Sequence, residues 1–337
     1  MKMAKPTIIT AGIDTSKAKL DIAVHGTGSA FSVTNDEAGW RTAAVQLKRA
    51  NVTRVGIEAT GGYERGSTRF LQKTGFTVIV MQPLQVKAFA KLHLKRAKTD
   101  RIDAVLIAAC THVFDAVNKL PPDARFDALA DHLTFIEQLE EDVVRIKTRL
   151  EHIADKRLRR IAEADVKRLS QRSEGERKRL LAAVRQYDDL AARFDLVQSV
   201  PSIGERTALC IVIRLPELGQ VSREEIAALA GLAPFVRQSG KHDGQAHIGG
   251  GRGRVRRALY IAALPGAFRW SPELKAFYAK LIARGKSHKA ALVACARKLL
   301  IFANTVATRG TPWQQKNSSQ KCSAKNRNSA EFFMKKD

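Results

Sequence analysis

Six apolar residues, Ile136, Leu139, Val143, Ile146, Leu150 and Ile153, step along the chain by 3, 4, 3, 4 and 3 positions. That spacing is an a/d heptad seam, and it demands a long helix with one face buried against another helix. A second run, Leu180, Val184, Tyr187, Ala191 and Phe194, steps by 4, 3, 4 and 3. Between them lies the charged stretch RLSQRSEGERKR, in which Gly175 marks a turn. The pattern predicts a coiled-coil helical hairpin over 122–196. Such a hairpin either closes only on itself or also pairs with a second subunit, and we expect a homo-oligomer, dimer or tetramer. A chain of 337 residues then has room for a folded domain on each side of the hairpin.

In front of the hairpin the period changes. TIITAGID, KLDIAVHG and AFSVTN are short β-rich runs, close enough together for an antiparallel meander. Asn35 or Asp36 caps a helix running to about Ala50. RVGIEAT reads as a buried strand, followed by Gly61-Gly62 and a helix to about Lys73. FTVIVMQ is a further strand, and 84–117 is helical material. Strands in a hairpin, then strands alternating with helices, predict an α/β domain over 1–121 with a mixed sheet covered on both faces. Behind the hairpin, 197–308 is all-α: REEIAALAGL, RGRVRRALYIAAL, PELKAFYAKLIARG and KAALVACARKLLIFANTVA, interrupted by the polar loop RQSGKHDGQAHIGGGRGR. The last stretch, 309–337, is rich in Asn, Ser and Lys and reads as a basic disordered tail.

Charge narrows the partners. Lysine plus arginine number 58 against 33 acids, a formal net charge of +25. No Asp or Glu occurs from Arg65 to Thr99, and from Gly244 to Ala330 the sole acid is Glu273. Exclusion of acids over such lengths is what phosphate binding requires, so nucleic acid is the expected polyanion. No apolar run reaches the roughly 18 residues of a membrane span, and no signal sequence is seen, so we expect no membrane and a cytoplasmic, nucleoid-associated protein. The cysteines, Cys110, Cys210, Cys295 and Cys322, form no CxxC pair, which argues against zinc.

The acids that are present fall at telling places. Asp14 ends the strand TAGID, and Glu58 ends VGIE. Asp100 and Asp103 stand one helical turn apart in AKTDRIDA, just after Lys95, Arg96 and Lys98. Carboxylates three apart on a helix repel one another. Acids where apolar strands run out lie at the sheet end where open α/β sheets place ligands. Four carboxylates meeting there need a divalent ion to stay ionised, and oxygen ligands suit Mg²⁺ or Mn²⁺. Taken singly, each has a plainer reading: a turn or N-cap at Asp14, a helix cap at Glu58, and a solvated face balanced by Arg96, Lys98 and Arg101 for the pair.

GIDTSKAKLDIAV, GIEATGGYER, KTDRIDA and LAGLAPFVRQSGKHDG…RGRVRRALY, in that order, resemble the DEDD transposases of the insertion-sequence one-ten family over about Thr7 to Trp313. The resemblance implies an RNase H-like (RuvC-like) N-terminal domain, a coiled-coil region and a helical C-terminal transposase domain. It implies that Asp14, Glu58, Asp100 and Asp103 are the four catalytic, metal-holding acids, and that Ser239 in RQSGKHDG is the nucleophile. It further implies donor and target DNA as substrates and a structured non-coding bridge RNA as guide.

On its own residues, Ser239 is a serine in a Gly-bearing loop beside Lys241 and His242, ahead of Arg252, Arg254, Arg256 and Arg257. A serine hydroxyl attacks only if a base, a metal or a positive field eases its deprotonation. Those cations could supply charge to a phosphate. His242 and His247 are bases by type, but solvated loop histidines are the commoner case, and neither receives a role. SVPSIGERTALCIVIRL resembles a helix-hairpin-helix motif, in which the turn carrying Ser202 and Gly204 aims backbone N–H groups at a phosphate; an ordinary helical turn is the alternative. GGGRGRVRR follows no strand and lacks GK[ST], so it is no NTPase loop. Gly249 to Gly251 are instead expected to admit phosphate close to the backbone. The chain is expected to be a DNA transposase or recombinase using a covalent phosphoserine, with charge on the phosphorane stabilised by Mg²⁺ at a composite site. The alternatives are a metal-dependent junction nuclease acting by water attack, or a degenerate transposase that only binds nucleic acid.

Overall fold

A computed structural model describes residues 8–92, 100–113, 123–235, 238–239, 242–243 and 247–314, with backbone only for 100–102, 238–239 and 242–243. The chain forms two compact units, Met1–Pro122 and Asp123–Asp337.

The first unit is built on a five-stranded mixed sheet. Strands β1 (Thr10–Thr15), β2 (Lys19–Val24) and β3 (Ala30–Thr34) form the expected antiparallel meander. Helix α1 (Glu37–Arg49) starts at Asp36, whose side chain accepts from the Gly39 N–H at 2.8 Å. Strand β4 (Arg54–Glu58) then lies parallel to β1; α2 (Arg65–Lys73) leads to β5 (Thr77–Met81), parallel to β4. The strand order is β3-β2-β1-β4-β5. Helices α3 (Pro83–Leu92) and α4 (Asp100–Val113) follow.

Alternation along the strands separates the two faces of this sheet. Ile13, Leu20, Ile22 and Ile57 pack with Ala43, Leu47 and Leu71 of α1 and α2. On the other face Gly12 and Gly56 receive α4. A Cβ on Gly12 would lie 2.1 Å from the Ala108 nitrogen and 2.3 Å from the Ala104 oxygen; one on Gly56 would lie 1.9 Å from the Thr111 hydroxyl. The bare glycines let the helix backbone sit directly on the sheet. Thr10 Oγ1 donates to the Ala108 carbonyl at 3.3 Å, and His25 stacks on His112 at 4.6 Å between centroids. Helix α4 therefore runs antiparallel to β1, with its N-terminus over the end of the strand.

The second unit opens with α5 (Ala124–Leu150) and α6 (Lys156–Arg185), which form an antiparallel hairpin. Leu129, Leu133, Ile136, Leu139 and Val143 are buried on α5, while Ile146, Leu150 and Ile153 are only half-buried toward the far end. The hairpin turns at 151–155, not at Gly175. Asp155 caps α6 by accepting from the Leu158 N–H, and Gly175 lies within α6 with open space where a Cβ would be. A solvent-facing glycine costs a helix only about 1 kcal/mol relative to alanine, too little to break a 30-residue helix. The second apolar run is not one helix either. It breaks at Tyr187, which precedes α7 (Asp188–Gln198), and Leu180, Val184, Leu190 and Phe194 enter the core of the remaining helices.

Those helices are α8 (Glu205–Arg214), α9 (Arg223–Leu229), α10 (Gly253–Pro265), α11 (Pro272–Ala283) and α12 (His288–Arg309). Two-residue strands β6 (Gln238–Ser239) and β7 (His242–Asp243) stand between α9 and α10, and a π-helical turn, Gly266–Trp270, joins α10 to α11. Helix α8 is buried from Ala208 to Ile213, apolar on all sides, as befits the centre of a bundle. Helix α12 is long and apolar enough by composition to cross a membrane. Its Leu292, Cys295, Leu299, Leu300 and Val306 instead fill the core, and buried Asn304 ties it to the loop before α9, accepting from the Gly219 N–H at 2.8 Å and donating to the Val221 carbonyl at 2.9 Å. Residues 315–337, most of the expected disordered tail, lie outside the described residues, as do Lys241 and Cys322.

Candidate active site and nucleic-acid interface

The parallel register of β1 and β4 pairs Gly12 with Gly56 and Ile13 with Ile57. One step further along come Asp14 and Glu58. They are two residues beyond the glycines that accept α4, so period-2 alternation puts both on the α4 face. The opening turn of α4 holds Asp100 and Asp103, and Ala104 touches the Gly12 position. The fold thus brings three of the four expected acids, Asp14, Glu58 and Asp103, together with the backbone of Asp100, to one end of one face of the sheet. The side chains of Asp14, Glu58 and Asp103 are half-buried; that of Asp100 lies outside the described residues.

They do not form a closed cage. Among the described residues, no three His, Cys, Asp or Glu side chains are grouped closely enough to hold a metal ion. An open arrangement is nonetheless what suits Mg²⁺, which is usually held by one or two carboxylates and completes its shell with water and substrate phosphate.

A fifth acid, Asp21, reads in the sequence as one polar position of an alternating strand. The β1–β2 register places it directly opposite Asp14. It is 8% exposed, accepts from the Ser32 hydroxyl at 2.5 Å and pairs with Lys19 at 3.0 Å. Ser32, Asp21, Asp14, Glu58 and Met81 form one row across the sheet. Like charges opposed across strands repel; the hydroxyl and the ammonium offset this at Asp21.

Ser239 belongs to the second unit. The loop expected around it contains a small antiparallel ribbon in which Ser239 pairs with His242 and Gln238 with Asp243, extended by a bridge between Phe235 and His247.

The arginines behind it are engaged within the chain. Arg252 makes a bidentate pair with Glu217, at 2.7 and 2.6 Å. Arg254 pairs with Glu137, and Arg257 with Glu141 at 3.3 Å. Arg256 donates to the Gly250 carbonyl at 2.7 Å. A groove of about 570 Å³ runs between α5 and α10, lined by Glu137, Glu140 and Glu141 of α5 and by Arg206, Arg254 and Arg257. Arg252 and Arg256 so serve to hold the chain together, while Arg257, 70% exposed, is the one most open to exchanging its carboxylate for a phosphate. Of Gly249 to Gly251, Gly250 has open space at its Cβ position and Gly249 only ordinary contact with Phe235, whereas Gly251 is used internally. Gly251 has φ +59, and a Cβ there would lie 2.3 Å from the Gly231 nitrogen, so this glycine admits another stretch of backbone, not a phosphate.

Helices α7 and α8 and the turn at 199–204 form a helical hairpin. Gly204 is exposed at the α8 N-cap, in extended conformation. Ser202 is left-handed, with φ +79. Its hydroxyl faces inward, 2.6 Å from where a Gly266 Cβ would be, buried and without a hydrogen-bond partner among the described residues. The expected phosphate contact is through backbone N–H groups of this turn; Gly204 is exposed at the cap, and the inward Ser202 hydroxyl takes no part in it. Glu205, in the first turn of α8, pairs with Arg177.

Comparison with known proteins matches residues 11–157 to a transposase family profile of the IS110 DEDD type and residues 194–279 to one described as the transposase IS116/IS110/IS902 family. The pilin gene-inverting protein of Moraxella bovis is 25% identical over 314 residues, covering 90% of this chain and 97% of that protein, and that of Moraxella lacunata is similar to the same extent. An uncharacterized 43.6 kDa protein of insertion element IS110 in Streptomyces coelicolor is 28% identical over 124 residues, which is 36% of this chain and 30% of that one.

Proposed function

The chain belongs to the IS110 family of transposases and is an enzyme that acts on DNA, and from that premise we propose that it cuts and rejoins DNA through a phosphoserine formed on Ser239. The observation that carries the reading is the convergence of Asp14, Glu58 and the opening turn of α4 at one end of the sheet. The strand order β3-β2-β1-β4-β5, with β1, β4 and β5 parallel and the meander antiparallel, supports an RNase H-like domain. The α5–α6 hairpin, with its half-buried far end, supports a coiled coil through which copies pair.

In the reaction, Ser239 Oγ bonds to the scissile phosphorus as the deoxyribose oxygen leaves and takes up a proton. A second deoxyribose hydroxyl then displaces the serine, which recovers its proton. One phosphate ester replaces another at each step, so rejoining needs no ATP. A relative named for inverting a pilin gene supports such an exchange, because inversion both breaks and remakes DNA strands. Asp14, Glu58, Asp100 and Asp103 are assigned as holders of Mg²⁺ or Mn²⁺, which when bound would lower the charge cost of the pentacoordinate phosphate. Arg257 and the backbone at Gly204 are assigned to phosphate contacts that position the DNA. Guidance by a structured RNA is proposed on the family resemblance alone, with activity in the cytoplasm at the nucleoid.

A nicked, trapping DNA substrate tests the reading. Wild-type protein should form a protein–DNA adduct that survives denaturation, and Ser239→Ala should form none. Cleavage that persists without an adduct would identify water as the attacking group, and an adduct surviving Ser239→Ala would place the nucleophile elsewhere.

A further inference from the structure

The π-helical turn holds two large aromatic rings at the surface. Its i→i+5 bond, from the Ser271 N–H to the Gly266 carbonyl at 3.2 Å, follows directly on Pro265. Gly266 and Ala267 turn inward against Ser202 and Leu274, and the widened turn leaves Phe268 49% and Trp270 58% exposed. π-Helical turns of this kind concentrate at functional sites. Two more rings pack with Phe268, and Trp270 stands exposed two residues further along the same turn. Tyr278 of α11 meets Phe268 edge-on at 5.0 Å between centroids, and His288 at the start of α12 lies nearly parallel to Phe268 at 6.2 Å. Tyr278 Oη and His288 Nδ1 are hydrogen-bonded at 2.7 Å, which fixes both rings.

The surroundings are cationic. Arg269, within the turn, and Lys275, one helical turn before Tyr278 on α11, are exposed, as are Arg284, Lys286 and Lys289 in and around the α11–α12 connection. Glu273 is the sole carboxylate in the sequence between Gly244 and Ala330. A second copy would bring the same cations to the contact. A polyanion with flat apolar groups fits both features, because bases stack on aromatic rings while the backbone tracks the lysines and arginines. In duplex DNA the bases are already stacked on one another, and strand exchange is the step that frees them.

We propose that Phe268 and Trp270, backed by Tyr278 and His288, form a stacking platform for unpaired bases of the DNA substrate. The assignment rests on the DNA-acting reading above but not on its serine chemistry. The experiment accordingly uses the full chain carrying Ser239→Ala, at one fixed salt concentration, with three labelled probes: a 20-nucleotide oligo(dT), a mixed-sequence DNA duplex of the same length, and oligo(U). Loss of adducts in the trapping assay would leave these binding measurements unaffected, so the two ideas fail separately.

Oligo(dT) should quench tryptophan emission, and Trp270→Leu should remove most of that quenching. Trp270→Leu and Phe268→Leu should each weaken oligo(dT) binding about tenfold, at the lower end of what one stacked base contributes, and leave duplex binding within about twofold. Trp270→Phe, which keeps a flat ring, should retain most of the affinity. Unchanged oligo(dT) affinity in both Leu variants would overturn the proposal, as would an equal loss for duplex. A loss confined to oligo(U) would assign the face to RNA instead. A shift of the protein toward smaller species on sedimentation, with oligo(dT) binding intact, would make it a contact between copies.

Discussion

Replacing Gly12 by alanine should damage the enzyme twice, once in folding and once in chemistry. The new methyl carbon would sit 2.1 Å from the Ala108 nitrogen, 2.3 Å from the Ala104 oxygen and 2.7 Å from the Ile107 carbonyl carbon. All three are backbone atoms of α4, so no side chain can swing aside. Ordinary contact begins at 3.4 Å, so the helix must retreat by about 1.3 Å, the difference between 3.4 and 2.1 Å. Overpacking a core commonly costs about 1–3 kcal/mol, and a clash with three backbone atoms of one helix belongs at the top of that range, about 3 kcal/mol. Retreat of α4 also moves Asp100 and Asp103 away from Asp14 and Glu58. A 1 Å misplacement in a catalytic constellation can cost on the order of 100-fold. The assay is urea unfolding followed by Trp40, which packs at 6.1 Å from Phe70 in the first unit, in a background with Trp270 and Trp313 replaced by Phe. It is paired with adduct formation on the trapping substrate. Gly175→Ala, followed by far-ultraviolet circular dichroism because it lies in the second unit, is the control: nothing lies within 4 Å of its Cβ position, and a helix-interior Gly→Ala change should stabilise by up to about 1 kcal/mol. An unchanged unfolding midpoint and undiminished adduct formation in Gly12→Ala would refute the packing of α4 on the sheet.

Other consequences follow from the second unit. Glu137 accepts from Arg214, whose side chain is 15% exposed, and from Arg254. Glu137→Ala leaves a nearly buried guanidinium without its carboxylate, with the neutral Thr134 hydroxyl and Cys210 thiol beside it, and should cost about 2 kcal/mol by thermal melting, whereas Glu137→Gln should recover part of the loss. Burial pushes the Cys210 thiol up to about 12, so at pH 8 only about one molecule in ten thousand carries a thiolate. Iodoacetamide should leave Cys210 unmodified in the folded protein and alkylate it promptly in urea. Hydrogen bonds from Arg125 hold both Asp123 and Asp189 below the usual carboxylate range. Stabilisation from a depressed carboxylate is complete above the unfolded value of ~3.9 and is lost as pH falls through the folded one. Between pH 6 and pH 3 the wild type should therefore lose more thermal stability than Arg125→Ala; equal losses would remove the pair from the acid response.

Much of the first unit is legible in the sequence because its signals are local. Alternation marks the strands, Asp36 marks the start of α1, and Asp14 and Glu58 stand out as acids closing apolar runs. What escapes is whatever depends on register. Asp21 resembles any other polar strand position until β1 and β2 are paired. In the second unit the heptad seam correctly identifies α5, but Gly175 misleads, because a glycine's cost to a long helix is small beside the packing of its neighbours. The arginines at 252–257 look free in the sequence because their partners are distant; Glu137 and Arg254 are 117 positions apart. The ribbon around Ser239 was open to inference: Ser-Gly-Lys-His has the two-residue, glycine-first loop of a tight β-hairpin.

The proposed function needs both the metal-holding acids and Ser239 for adduct formation. Sulfur substitution at the scissile phosphate's non-bridging oxygens tests it, because sulfur binds Mg²⁺ poorly and Mn²⁺ better. Formation of the Ser239 adduct should fall sharply for one phosphorothioate diastereomer in Mg²⁺ and recover in Mn²⁺, with neither ion supporting adducts in Asp103→Asn. Full-rate adduct formation from both diastereomers in Mg²⁺, or from Asp103→Asn protein, would contradict the account.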